Sequence, residues 1–427
     1  MNILMFTNTY IPHVGGVARS VQGFAAEFRK LGHRVLVVAP LFDGIPLGET
    51  DVVRVPAVQN FNGSDFSVPV LLSGKGYAAL RSFSPAIVHS HHPFLLGDTA
   101  LRISASRDIP VVFTHHTMYE EYTHYVPGDS PRIKRFVVDL VTGYCNLCDT
   151  VIAPSRTVAE EIVRRGVQRP VEIIPTGVRT EVFAAGNGDA FREKLGIRAD
   201  AFLVGHVGRI APEKNLRFLA GAVARYLARD PKAHFVVVGD GPVKTEIERA
   251  YAARGLGDRL HFLGVMDHEE LASVYKGMDV FAFSSRTETQ GMVLTEAMAA
   301  GTPVVAIDAS GVREVVRDGR NGRLLPREDE EEFASALAWV ARLTPEERTR
   351  MGEEIARTAD EFSMPGAASK VLALYERLAG GKPAWKTIEP SPWTTARNRI
   401  KEEWKIVRNI AHAAGTAVLS MPAEESP

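Results

Sequence analysis

The sequence predicts an α/β protein built as two doubly wound parallel sheets in tandem. Three observations lead there. Short, nearly unbroken apolar runs recur along the chain, as strands buried on both faces of a parallel sheet require. Amphipathic helix-period segments separate them. The alternation breaks once, near Pro175-Thr176-Gly177 and the polar Ala185-Gly186-Asn187-Gly188-Asp189, and then restarts. A length of 427 residues suits two or three domains.

In the first half, Ile3 to Thr7, Val35 to Ala39, Ala86 to His89, Val111 to Thr114 and Thr150 to Ala153 read as strands. Helix patterns at Val17 to Leu31 and Arg132 to Leu147 lie between them. In the second half the strands are Phe202 to Val207, His234 to Val238, Leu260 to Leu263, Val280 to Phe283 and Val304 to Ile307. Helical segments at Glu331 to Leu343 and Gly366 to Ala379 follow, the latter placed to cross back to the first half. The expected domains are residues 1–180, joined by 364–427, and residues 181–363.

Composition narrows the function. Hydrophobic residues make up 45% and charged residues 24%, which excludes a disordered chain, a collagen-like repeat and a disulfide-built miniprotein. With 50 basic against 51 acidic residues there is no global positive field, so no nucleic-acid partner is expected. Met1-Asn2 leads straight into Ile3-Leu4-Met5-Phe6, without the basic and long apolar regions of a signal peptide. No apolar stretch is long enough to span a bilayer. The expected location is the cytoplasm, free or peripheral on the inner face of the cell membrane. Composition does not set the oligomeric state. Cys145 and Cys148, the two cysteines, form a C-x-x-C that ends a helix and precedes a strand. A redox motif should open a helix after a strand, so these thiols are expected to pack against the sheet.

Candidate chemistry sits at strand ends, where open α/β sheets bind ligands. The first strand runs into Thr7-Asn8-Thr9-Tyr10, and Gly15-Gly16 opens the next helix. Such a glycine pair either makes a tight turn or lets backbone approach an anion. It is neither a Walker loop nor a dinucleotide fingerprint. The strand ending at Val207 runs into Gly208-Arg209-Ile210-Ala211-Pro212-Glu213-Lys214-Asn215, whose two cations suit a diphosphate. Glu288 follows the strand Val280 to Phe283, and Glu296 comes eight residues later on a helix opened by Gly291. Glu296 lies among Leu294, Ala297 and Met298, where an acid needs a partner. One carboxylate at the helix mouth and one inside it can accept hydrogen bonds from two sugars, a hexose and a ribose.

Taken in order, these elements resemble the retaining glycosyltransferases of family 4 over roughly residues 1 to 379. The motifs are the Gly-Gly turn, Gly208-Arg209, Glu213-Lys214-Asn215, and the Glu-x7-Glu box running into Ala297-Met298-Ala299-Ala300-Gly301-Thr302-Pro303. The resemblance implies a GT-B fold, two Rossmann-like domains facing a central cleft, here with a C-terminal helical extension. It implies that Arg209 and Lys214 hold the donor diphosphate, Glu288 contacts the donor sugar and Glu296 the ribose. Gly15, Gly16, Val265, Gln290, Gly291 and Met292 complete the expected donor site. Many members carry Phe-Gly inside the box where this chain has Gln290-Gly291. Thr287 to Gly291, Phe113 to Tyr122 and Val88 to Phe94 look more like the subgroup that glucosylates diacylglycerol.

The histidines admit two readings. His89, His91 and His92 follow one strand, and His115 and His116 the next, at one sheet edge. A zinc site is one possibility, but the spacing is not H-E-x-x-H and no cysteine or carboxylate motif completes it. The resemblance instead makes His116 the histidine that faces the donor sugar. His91, His92, Tyr119 and Tyr122 then belong to the acceptor side. The expectation is a metal-independent enzyme with no cofactor, using a nucleotide sugar, UDP-glucose before GDP-mannose, and a lipid acceptor such as diacylglycerol. The alternatives are a soluble sugar, sugar phosphate, inositol or glycan acceptor, a zinc hydrolase, and a nucleotide-sugar-binding protein without catalysis.

The tail carries a separate signal. Trp393, Ala396, Ile400, Trp404, Val407 and Ala411 step by three or four residues into one apolar stripe. Between Lys382 and Ile410 seven Lys/Arg face three Glu, a net of +4. Arg132, Lys134 and Arg135 form a second basic cluster. The stripe is expected either to pack on the N-terminal domain as core or to meet an anionic membrane surface.

Overall fold

The computed structural model describes residues 1–13, 15–45, 48–58, 68–69, 79–80, 82–125, 130–286, 288–380 and 392–419. The chain divides into two compact units, Met1–Pro175 with Ala367–Pro427, and Thr176–Gly366.

The first unit runs β1 (Asn2–Phe6), α1 (Gly16–Lys30), β2 (Arg34–Pro40), β3 (Val52–Val55), the short pair β4 (Ala57–Val58) and β5 (Val68–Pro69), β6 (Ile87–Ser90), α2 (Leu96–Arg107), β7 (Val111–Thr114), a 3-10 turn at Tyr119–Tyr125, α3 (Pro131–Leu147), β8 (Thr150–Ala153), α4 (Arg156–Arg164) and β9 (Val171–Ile173). Its seven-stranded parallel sheet has the order β3-β2-β1-β6-β7-β8-β9. β1 pairs with β2 on one side (Leu4 opposite Leu36) and with β6 on the other (Leu4 opposite Val88). The order therefore reverses between β1 and β6, and the ends of those strands form the ligand crevice of this sheet.

The second unit continues through α5 (Thr180–Ala184), α6 (Gly188–Lys194), β10 (Leu203–Val207), α7 (Leu216–Arg229), β11 (His234–Val238), α8 (Lys244–Ala252), β12 (Leu260–Phe262), α9 (His268–Gly277), β13 (Val280–Phe283), α10 (Met292–Ala299), β14 (Val304–Ile307), β15 (Gly322–Leu325), α11 (Glu330–Ala341) and α12 (Pro345–Glu361). Its six strands are parallel in the order β12-β11-β10-β13-β14-β15, so the reversal falls between β10 and β13. Side chains alternate along β10 to β14 into two core layers, Leu203, Val236 and Phe281 on one face and Val204, Phe235 and Val280 on the other. Helix ends are set by local chemistry. Asp267 and Glu270 make a capping box at α9, and Thr344 and Glu347 make another at α12, where Pro345 occupies the first turn.

α13 (Met364–Gly380) and α14 (Pro392–Leu419) close the chain. From Ala367 onward they belong to the first unit. Tyr375 of α13 is fully buried there, edge-on to Phe28 and hydrogen-bonded to His89 Nδ1 at 2.5 Å. No helix among the described residues is long and apolar enough to cross a membrane.

The tail departs from one of the two sequence expectations for its stripe, that it packs on the N-terminal domain as core. α14 does pack on α2 and α3, but not through the stripe. Its inner face is Glu402, Ile406, Asn409 and Ala413, with Ile406 and Ala413 fully buried. Asn409 Nδ2 donates to the Leu140 carbonyl at 3.0 Å, and Arg102 holds Glu403 through two bonds of 2.7 and 2.9 Å. Gly143 permits the approach, since a Cβ there would overlap the Asn409 side chain. Ile400, Trp404, Val407 and Ala411 face outward. The side chains of Trp393 and Ala396 lie outside the described residues.

Candidate functional site

Unit two gathers its polar residues at the β10/β13 reversal. After Val207 the chain passes through Gly208, at φ +154°, and bends under Gly239 and Gly241. A Cβ on Gly239 would sit 1.9 Å from the Gly208 carbonyl oxygen, and one on Gly241 2.4 Å from that of Ile210. Only glycine tolerates both the left-handed backbone and the contact at Gly239. Gly239 N–H also donates to the Gly264 carbonyl at 2.7 Å, which draws in the loop carrying exposed Val265. Three strand ends thus present bare backbone to one crevice.

Charge lines that crevice. Lys214 ends a 3-10 turn (Pro212–Lys214), and Asn215, in the left-handed region, starts α7. Ser284, just past β13, anchors the turn by donating to the Lys214 carbonyl at 3.0 Å. This brings Lys214 Nζ within 2.6 Å of Glu288 Oε1, both side chains mostly buried. Arg209 pairs with Glu213 at 2.7 Å and remains half exposed. The guanidinium side of that pair is open to solvent, where a phosphate can reach it, while Glu213 is mostly buried.

The glutamate box is built as its spacing suggested. Gly291 caps α10 at φ +71°, a conformation that favours glycine, and Met292 begins the helix. Glu296 is 2% exposed, and its Oε2 accepts a hydrogen bond from the Tyr275 hydroxyl at 2.9 Å. Gln290 is buried and its amide is engaged at both ends: Oε1 accepts from Thr176 N–H at 2.5 Å, and Nε2 donates to the Thr176 carbonyl at 2.8 Å. Its side chain therefore clasps the box to the start of the unit, and only its backbone is left to face a donor.

His206 was not singled out in the sequence. It lies inside β10, stacks on Phe281 and Phe283, and donates from Nδ1 to the Ala282 carbonyl at 3.0 Å. Burial lowers its pKa to about 4, so the ring is neutral at neutral pH. Its buried Nε2 has no hydrogen-bond partner and lies 3.3 Å from where a Cβ on Gly208 would be. The available signal was a histidine within an otherwise apolar strand, immediately before Val207-Gly208-Arg209.

Unit one places its histidines at the ends of β6 and β7. His91 Nδ1 and His116 Nε2 are 2.9 Å apart with the rings stacked, and His89 lies beside His91 with ring centroids 4.0 Å apart. His89 Nε2 contacts Thr114 Oγ1 at 2.7 Å, so with Tyr375 both its nitrogens are engaged. Burial lowers His89 and His92 to about 3 and His115 to about 4. Burial first, and neighbouring imidazoles second, hold His91 and His116 well below the usual histidine value. The cluster is neutral, and His116, half-buried at its edge, is held in orientation by His91.

The other acceptor-side candidates separate here. His92 Nδ1 accepts the Asn8 backbone N–H at 3.0 Å, tying the end of β1 to that of β6, a structural bond. Tyr119 packs edge-on between Phe94 and His115. The Tyr122 side chain lies outside the described residues. Gly15 is extended at the start of α1, with His13 Nε2 3.1 Å from where its Cβ would be, and the first turn of α1 contains no acid. Cys145 and Cys148 are buried, and burial pushes both thiols up, consistent with packing. Among the described residues no three His, Cys, Asp or Glu side chains converge as metal ligands.

Two family models match the chain: Glycosyltransferase Family 4 over residues 14–182 and Glycosyl transferases group 1 over residues 187–358. An alpha-monoglucosyldiacylglycerol synthase of Acholeplasma laidlawii is 30% identical over 346 residues, 77% of this chain and 86% of that one. A GDP-mannose-dependent alpha-mannosyltransferase of Mycobacterium tuberculosis is 30% identical over 397 residues, 89% of this chain and 97% of that one. Among solved structures, Anabaena HepE in complex with UDP-glucose superposes with a TM-score of 0.69 at 21% identity, covering 88% of this chain and 100% of that one. That likeness is one of fold, and the fold is GT-B.

Proposed function

The chain belongs to glycosyltransferase family 4, a retaining GT-B hexosyltransferase, and on that premise we propose that it transfers glucose from UDP-glucose to a membrane lipid such as diacylglycerol, without a metal ion. The observation that carries the donor side is the Lys214–Glu288 pair at the β10/β13 crevice. It sets side by side a cation suited to a leaving phosphate and a carboxylate suited to the hydroxyls of the sugar attached to it. In this reading Lys214 and Arg209 receive the charge that develops on the diphosphate as the anomeric C–O bond breaks. Glu288 accepts hydrogen bonds from the sugar hydroxyls, Glu296 is the ribose contact, and the loop at Val265 reads the base through backbone. In the first unit, neutral His116, oriented by His91, is the residue proposed for contact with a sugar. The acceptor oxygen bonds to the anomeric carbon on the face the phosphate leaves, and its proton passes to the departing phosphate oxygen.

Support for glucose and lipid comes from similarity to the alpha-monoglucosyldiacylglycerol synthase over most of both chains. The mannosyltransferase, matched over nearly its whole length, supports a second reading with GDP-mannose. A panel of nucleotide sugars, each assayed for hydrolysis and for transfer to diacylglycerol in mixed micelles and to soluble sugars and inositol phosphate, separates them. Turnover with UDP-glucose and diacylglycerol is expected. Preferential use of GDP-mannose or of a soluble acceptor would replace the proposal by the second reading.

A further inference from the structure

α14 has two faces of opposite character. Its inner face is docked on α2 and α3, so the helix does not need its apolar stripe to stay in place. On a helical projection the stripe lies opposite that inner face. Trp404 is 72% exposed, Ile400 61% and Val407 51%, and Ala411 and Ala414 extend the strip. Trp404 is a large apolar side chain that the fold leaves in water, although the packed position at Ile406 is only two residues on.

The charge around the stripe indicates what covers it. Residues 397–412 carry five basic side chains (Arg397, Arg399, Lys401, Lys405, Arg408) and two acids (Glu402, Glu403), a net of +3 in a chain whose total is −1. Both acids are engaged on the inner side, Glu403 with Arg102 and Glu402 with Lys405. Arg397, Lys401, Lys405 and Arg408 all project from one flank of the stripe. Arg132, Lys134 and Arg135 are exposed at the start of α3, the end toward which α14 runs, since Thr416 bonds Asp139. An apolar strip with tryptophan, bordered by cations, is the pattern of an interfacial helix. An antiparallel twofold pairing of two copies would set the basic flank against itself.

We propose that the outer face of α14 (Ile400, Trp404, Val407, with Arg397, Lys401 and Arg408) docks the enzyme on an anionic lipid bilayer. The stripe enters the headgroup region while the Asn409 and Glu403 contacts hold the helix to the first unit. The inference rests on the lipid-acceptor reading for its purpose but not for its geometry.

The test is flotation of the full-length protein with vesicles of equimolar phosphatidylcholine and phosphatidylglycerol, and with phosphatidylcholine alone. Wild-type protein should float with the anionic vesicles and be released when salt is raised to about 0.5 M. The triple variant Ile400→Ser, Trp404→Ser, Val407→Ser should lose association about tenfold or more. Arg397→Gln, Lys401→Gln, Arg408→Gln should lose the preference for anionic vesicles. All six side chains lie on the solvent face, so circular dichroism and thermal midpoint should match wild type. Wild-type protein that fails to float, or an apolar variant that floats as well as wild type, overturns the proposal. So does a self-associating wild type that becomes monomeric on removal of the stripe with unchanged flotation. UDP-glucose hydrolysis without vesicles is read on the same proteins and should be equal in all three. Absence of hydrolysis in all three, with flotation intact, counts against the catalytic reading and leaves the docking surface standing.

Discussion

Acidification should unfold the first unit well before the second. His89, His92 and His115 are buried neutral, with pKa values lowered from 6.5 to about 3, 3 and 4. A histidine with a depressed folded pKa takes up a proton on unfolding, so it favours the unfolded chain as acid is added. The stability it preserves is complete above pH 6.5 and is lost as pH falls toward 3 to 4. Between pH 7 and pH 5 each of the three contributes a loss of about 2 kcal/mol, about 6 kcal/mol together. That approaches the whole stability of a typical domain. His91 and His116 are shifted the same way and add to the loss. In the second unit His206 is the corresponding buried ring among the described residues, worth about 2 kcal/mol over the same range. Hydrogen exchange read by peptide, corrected for intrinsic rates, should show β6 and β7 losing protection at pH 5 while β10, β11 and β13 keep theirs. His92→Asn retains an acceptor for the Asn8 N–H but cannot titrate, and should reduce the acid loss by about 2 kcal/mol. If β6 and β7 are as protected at pH 5 as at pH 7, or the two sheets lose protection together, the histidines are not the source of acid lability.

Other outcomes follow from the donor crevice. Arg209→Ala and Lys214→Ala should each lower kcat about a hundredfold or more at saturating donor. Because Lys214 and Glu288 are paired, the double variant should lose less than the sum of the single losses, and strictly additive losses would mean the two act apart. Glu288→Gln should mainly reduce kcat, and Glu296→Gln mainly the affinity for free nucleoside diphosphate by calorimetry; the reverse pattern would exchange their roles. Tyr275→Phe should destabilise the protein by about 1 kcal/mol or more in denaturant titration, because it strips the buried Glu296 of a donor. Turnover should persist in excess EDTA, and complete loss restored by zinc or magnesium would refute a metal-free reaction.

Local patterns carried much of this. The runs Leu203 to Val207, apolar except for His206, and Val280 to Phe283 are buried on both faces, as a doubly covered parallel sheet requires, so fold class and central strands follow from the residues. The spacing from Glu288 to Glu296 places one carboxylate before a helix and one inside it wherever that helix sits. The edge strands β3, β9 and β15 were not legible, because they are short and half-exposed and lack that apolar run.

Tertiary packing decided what no local pattern encodes. Gln290 and Thr176 are 114 positions apart, and their mutual bonds exist only once α10 and the start of the unit meet. The same holds for the pairing of Lys214 with Glu288 and for the lone pair left on His206. The tail shows the limit most clearly. Its 3.6-residue period identifies an amphipathic helix and an apolar stripe, but a period cannot say which side of a helix meets the protein. Gly143, in another helix, admits Asn409, and Arg102 holds Glu403, so the face carrying Glu402, Ile406, Asn409 and Ala413 turns inward and Trp404 is left facing water.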